Sequence, residues 1–158
     1  MTIDPPKSGS SGPKAAERVL HAARELFYRQ GIRAVGVDEI VSRAGVTKPS
    51  LYRGFASKDD LAASYLRLYE QEFWNRFDAA LAAHPGDPRG GVLDYIQGLT
   101  ARSARPGYRG CGLSNAAVEY PEPDHPGRLV SEGHKRKLRE RLHTLAAEMG
   151  ADDPAMLG

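Results

Sequence analysis

The chain of 158 residues has one cysteine, Cys111. A single cysteine cannot form an internal disulfide, and it fits a reducing, cytoplasmic setting. No apolar run approaches the roughly 18 residues of a membrane span, so no membrane partner is expected. The first dozen residues, MTIDPPKSGSSG, have no apolar h-region and do not read as a secretory signal. No segment shows persuasive strand alternation, and there are no internal repeats. Net charge is also scarce: 22 Lys/Arg against 20 Asp/Glu leave +2. That balance alone does not announce a nucleic-acid binder. Its distribution says more. Residues 14–58 hold nine Lys/Arg against four Asp/Glu, a net +5, and from Asp59 onward the balance turns negative. A phosphate-binding surface needs such a local field, although a solvated basic face has the same composition.

What is present is helical patterning. Residues 1–13, rich in Gly, Ser and Pro, read as a disordered arm. Over residues 14–30, Val19, Leu20, Ala23, Leu26 and Phe27 recur at helical spacing, and Gly31 ends the stripe. A short helix follows over 38–44, with Asp38 and Glu39 in its first turn and Ile40 and Val41 inward. Gly45 makes a tight turn. A third helix, over 48–55, has Pro49 in its first turn. Ser57 caps a long helix over 58–83, with Asp60 at its third position. That helix carries Leu61, Tyr65, Leu68, Tyr69, Phe73, Trp74, Phe77 and Leu81. Residues 84–91 read as a loop, 92–104 as a helix, 111–119 as a short helix, and 126–149 as a long one with Leu129, Leu138, Leu142, Leu145 and Met149 inward. Asp153-Pro154 is a helix start signal. The sequence stops about one turn later, so truncated or missing C-terminal helices are expected. The fold class is all-α.

Three helices with a Gly-containing turn between the last two form a helix-turn-helix. The second and third are too short to be stable alone and must dock on the first through Ile40, Val46, Leu51 and Phe55. Docking leaves Thr47, Lys48, Ser50, Tyr52 and Arg53 for a partner, on a helix that fits the major groove.

The stretch AARELFYRQGIRAVGVDEIVSRAGVTKPSLYRGFASKDDL resembles the TetR family of bacterial transcriptional repressors. Residues 109–128, RGCGLSNAAVEYPEPDHPGR, and the Lys/Arg-rich helix after them are similar to one branch of that family. The resemblance implies a helix-turn-helix DNA-binding domain over 14–57 and a helical effector-binding and dimerisation domain over 58–158. It implies base or phosphate contacts from Thr47, Lys48, Ser50 and Arg53. It also implies phosphate contacts from Tyr52 and Lys58, and flanking backbone contact from Lys14. Two positions depart from the family pattern. Gly54 stands where His, Tyr or Asn is usual, which predicts a lost contact or a fraying helix end. Gly36 supplies no hydroxyl before the second helix.

The resemblance further implies a homodimer on a double-stranded, pseudo-palindromic operator, released by a small-molecule effector. Dimerisation would use helices beyond Asp153. Tyr69, Phe73, Trp74, Phe77 and Tyr95 are either ordinary core or the wall of an effector pocket, with Cys111, Asn115, Glu119 and Tyr120 as further candidates. An effector-independent DNA-binding protein is the alternative. A small enzyme using Cys111 is a remote one. The spacing of Cys111, His125 and His134 matches no compact metal pattern and supplies no nucleophilic constellation, so neither a metal nor a cofactor is expected. The run Lys135, Arg136, Lys137, Arg139 and Arg141 reads as a solvated face.

Overall fold

The computed structural model describes residues 13–156. Within them lie seven α-helices and no strand: α1 (Pro13–Gln30), α2 (Val37–Ala44), α3 (Lys48–Gly54), α4 (Lys58–Ala82), α5 (Pro88–Ser103), α6 (Gly112–Glu119) and α7 (Pro126–Glu148). A 3₁₀ turn, Pro154–Met156, follows the Asp153-Pro154 signal. The arm expected over 1–13 lies outside the described residues, except that Pro13 opens α1. No described helix is long and apolar enough to cross a membrane.

Local chemistry sets the helix ends. The Thr47 side chain accepts the Ser50 N–H and caps α3, with Pro49 in the first turn. Ser57 caps α4 by accepting the Asp60 N–H at 3.1 Å, and Asp60 reaches back past the cap to accept the Ala56 N–H at 3.1 Å, a variant of the capping box. Gly45 sits at φ 62°, so the turn between α2 and α3 uses a left-handed residue that glycine adopts without strain.

The helices pack around α1 and α4. Helix α1 lies against α2, α3 and α4, while α5, α6 and α7 surround α4. One buried cluster runs from Val19, Phe27, Ile40 and Leu51 through Leu61, Tyr65 and Leu66 to Leu113 and Ala116. The core therefore crosses the 57/58 boundary without a break.

Three expectations change. Residues 84–91 are not all loop, because Asp87 caps α5 by accepting the Gly90 N–H at 2.9 Å and Pro88 fills the first helical position. Leu129 on α7 and Met149 at its C-cap are exposed, at 55% and 42%. Ser131 and His134 are buried in their stead, with the Ser131 hydroxyl donating to the Gly127 carbonyl. Gly54 does not fray α3: the Phe55 N–H closes on the Leu51 carbonyl at 3.0 Å. A Cβ at Gly54 would stand 3.1 Å from that of Ala16, so the glycine lets α3 approach α1 closely.

Two predictions follow from the packing of α4. A Cβ at Gly91 would lie 2.9 Å from the Leu81 Cα. In an open helix Gly→Ala stabilises by about 1 kcal/mol. Here overpacking dominates, and Gly91→Ala should cost about 1–3 kcal/mol in urea denaturation. Stabilisation would show that α5 is not so close. Second, His134 packs edge-on against Phe73 at 4.6 Å between ring centroids. Burial lowers its pKa, and Glu70 opposes that shift. The unfolded chain therefore takes the proton first, and the His134 contribution to stability is lost as pH falls through and below the ordinary histidine range. His134→Gln should flatten the fall in stability measured between about pH 7.5 and about pH 5.5.

Candidate DNA-binding face and cavity

Three of the side chains expected to meet DNA, Thr47, Ser50 and Arg53, form one linked array along α3. The Thr47 and Ser50 hydroxyls lie 3.0 Å apart, and the Arg53 guanidinium donates to the Ser50 hydroxyl at 2.8 Å. These bonds fix the direction of Arg53 along the exposed face. Tyr52 is half exposed beside them, at 50%. The Lys48 ammonium pairs with Asp38 at 2.8 Å, and this hydrogen bond raises its pKa, so the charge is secure. Lys58 stands apart from the array. It is half-buried, and its ammonium donates to the Arg33 carbonyl at 3.4 Å. Lys14 is exposed in the first turn of α1.

Three acids of this basic segment are occupied within it. Asp38 holds Lys48, Glu39 accepts from Gln30 at 2.8 Å, and Glu25 accepts from Arg43 at 2.7 Å. Gly36 begins α2 with no side-chain cap, so the hydroxyl absent from the sequence has no local substitute.

A cavity of about 500 Å³ opens where α1, α4, α5 and the 105–111 segment meet. Tyr69, Phe73, Tyr95 and Cys111 line it as the sequence suggested. Other candidates lie outside it. Trp74 lines a separate hollow with Lys137, whose ammonium stands 4.8 Å from its ring centroid. Phe77 is buried against Phe73 and Tyr95. Asn115 donates to the Arg109 carbonyl at 2.7 Å and so steadies the segment that walls the cavity. The Glu119 carboxylate accepts the Arg33 N–H at 2.8 Å, joining α6 to the turn after α1. Tyr120 is stacked on His125 with centroids 3.6 Å apart.

Sequence reasoning missed the contribution of α1. Arg24 and Tyr28 both line the cavity. The Tyr28 hydroxyl donates to the Gly110 carbonyl at 3.1 Å and accepts the Arg109 N–H at 2.9 Å. The Tyr69 hydroxyl donates to the same carbonyl at 3.4 Å. Burial pushes the Tyr69 phenol up to about 12, so it remains a donor at neutral pH. No spacing in the sequence signals a contact between residues 28 and 110. Among the described residues, no cluster of His, Cys, Asp and Glu could hold a metal. Of the two histidines considered with Cys111, His125 faces Tyr120 and Asp59, and His134 faces Phe73 and Glu70.

An exposed polar helix seated on two others, ahead of a helical body, defines a helix-turn-helix transcriptional regulator. Comparison with known proteins agrees. The profile for bacterial regulatory proteins of the tetR family matches residues 19–65. A TetR-family transcriptional regulator from Streptomyces coelicolor superposes with TM-score 0.86 and 33% identity, over 92% of this chain and 77% of that one. The regulatory protein TetR from Rhodobacter sphaeroides superposes with TM-score 0.79 and 27% identity, over 90% and 79%. In sequence, the HTH-type transcriptional regulator YjdC of Escherichia coli is 26% identical over 143 residues, covering 89% of this chain and 74% of YjdC. The HTH-type transcriptional activator FasR of Mycolicibacterium smegmatis is 43% identical over 65 residues, and the match spans 30% of FasR. The chain belongs to the TetR family of bacterial regulatory proteins.

Proposed function

We propose that this regulator is a ligand-responsive repressor that binds a pseudo-palindromic operator as a homodimer. Residues 14–57 form the reading head, and those from 58 onward bind the effector and the second copy. Thr47, Lys48, Ser50, Tyr52 and Arg53 meet the major groove, while Lys14 and Lys58 neutralise phosphates. Leu129 on α7 and Met149 just after it, both exposed, are available to a second copy.

One observation carries the effector reading. Arg24 and Tyr28, on the wall of the cavity, belong to the helix on which α2 and α3 are seated. A ligand that binds more tightly to one setting of α1 against α4 shifts the population toward that setting. The separation of the two heads, and hence operator affinity, then follows ligand occupancy.

Selection from random DNA tests the assembly. It should enrich an inverted repeat with half-site centres about one helical turn, or roughly 34–36 Å, apart. A lone half-site would rule out a two-headed reader. On the selected operator, Arg53→Ala should cost about 1–3 kcal/mol in a binding titration, with a smaller loss on random DNA. Equal losses on both would make Arg53 a phosphate contact.

A further inference from the structure

The walls of the cavity carry five arginines and two glutamates. Both glutamates are already engaged. Glu25 accepts from Arg43 at 2.7 Å, and Glu72 takes both terminal nitrogens of Arg24, the longer contact being 2.8 Å. Arg76 reaches Glu72 only at 3.8 Å, and its Nε–H is buried with no acceptor. Arg102 has no ion-pair partner among the described residues. Its guanidinium stands 5.4 Å from the centroid of the Tyr95 ring, which packs edge-on against Phe73 at 5.5 Å. Burial raises the pKa of the Tyr95 phenol, and the charges of Arg102 and Arg76 both pull it back. The cavity thus joins an aromatic wall to guanidiniums that lack a full carboxylate partner, Arg76 and Arg102 beside Tyr95 and, also without an ion pair among the described residues, Arg29 and Arg105.

Guanidiniums in this state favour an anion, because their planar donors match a carboxylate and protein walls weaken solvent screening. A cationic ligand would add like charge to a positive wall. We propose that the cavity takes a small organic acid, its apolar body against Phe73, Tyr95 and Leu99 and its carboxylate on Arg76 and Arg102. The volume, about 500 Å³, suits a ligand of that size. This inference rests on the effector reading for its regulatory meaning, but the binding preference can be tested by itself.

The test is calorimetric titration of the full chain with benzoate, 2-naphthoate and octanoate, each beside its primary amide. At least one acid should bind about 10-fold or more tightly than its amide. Arg76→Gln and Arg102→Gln should each remove most of that preference and leave the amide's affinity little changed, with circular dichroism confirming that the variants fold. If no acid binds, or if both variants keep the preference, the proposal fails. If every amide that binds does so as tightly as its acid, the anion class is overturned and the cavity is kept as a ligand site. An acid that binds with the stated preference but leaves affinity for the selected operator unchanged supports the anion site and overturns the effector reading.

Discussion

The apolar seam between α1 and α4 is the contact on which the rest depends. Phe27 meets Tyr65 edge-on across it, with centroids 5.7 Å apart. Helices α2 and α3, of eight and seven residues, are below the length that persists alone in water. They are held by burying Ile40, Leu51 and Phe55 in the cluster that contains Val19 and Phe27. The same cluster continues into Leu66, Leu113 and Ala116. The reading head and the helical body are therefore two sides of one core, and the orientation of α3 is set by the contacts that fix α1.

Polar contacts around that seam define its angle. Arg24 ties α1 to α4 through Glu72, Tyr28 ties it to the segment before α6, and Glu119 ties the end of α6 to Arg33. The first two border the cavity and the third does not. In the proposed mechanism this difference divides the labour. A ligand in the cavity sits beside the Arg24 and Tyr28 contacts, while the Glu119 contact lies away from it.

Much of the fold was legible because helix ends are written in local chemistry. Thr47, Ser57, Gly31 and Gly45 act within a turn of their own position, and the ends they mark agree with the structure. The start of α5 was legible too, in Asp87-Pro88, but the glycines that follow it drew the segment toward a loop. Periodicity placed Leu145 inward correctly on α7 but misplaced Leu129 and Met149, because it counts apolar residues alone. There the buried face includes Ser131 and His134, which the core accepts through a hydrogen bond to Gly127 and contacts with Phe73 and Trp74. The array on α3 lies within seven residues of sequence, so its members could be named together. The cavity is different in kind. Its wall joins Tyr28 to Gly110, 82 positions apart, and only tertiary packing brings such residues together.

The link from Arg33 to Glu119 also bears on where this protein can be cut and rejoined. A chimera that transplants residues 14–57 onto the body of another regulator would sever the Arg33 N–H from its carboxylate and the Arg33 guanidinium from the Glu119 carbonyl. A carboxylate oxygen of Glu119 also stands 3.1 Å from where a Cβ on Gly31 would lie, so the two surfaces are fitted to each other. The transplantable unit is therefore not a continuous stretch of chain. It is the head together with the acceptor at position 119, and a chimera built from this chain keeps that contact only if both are moved.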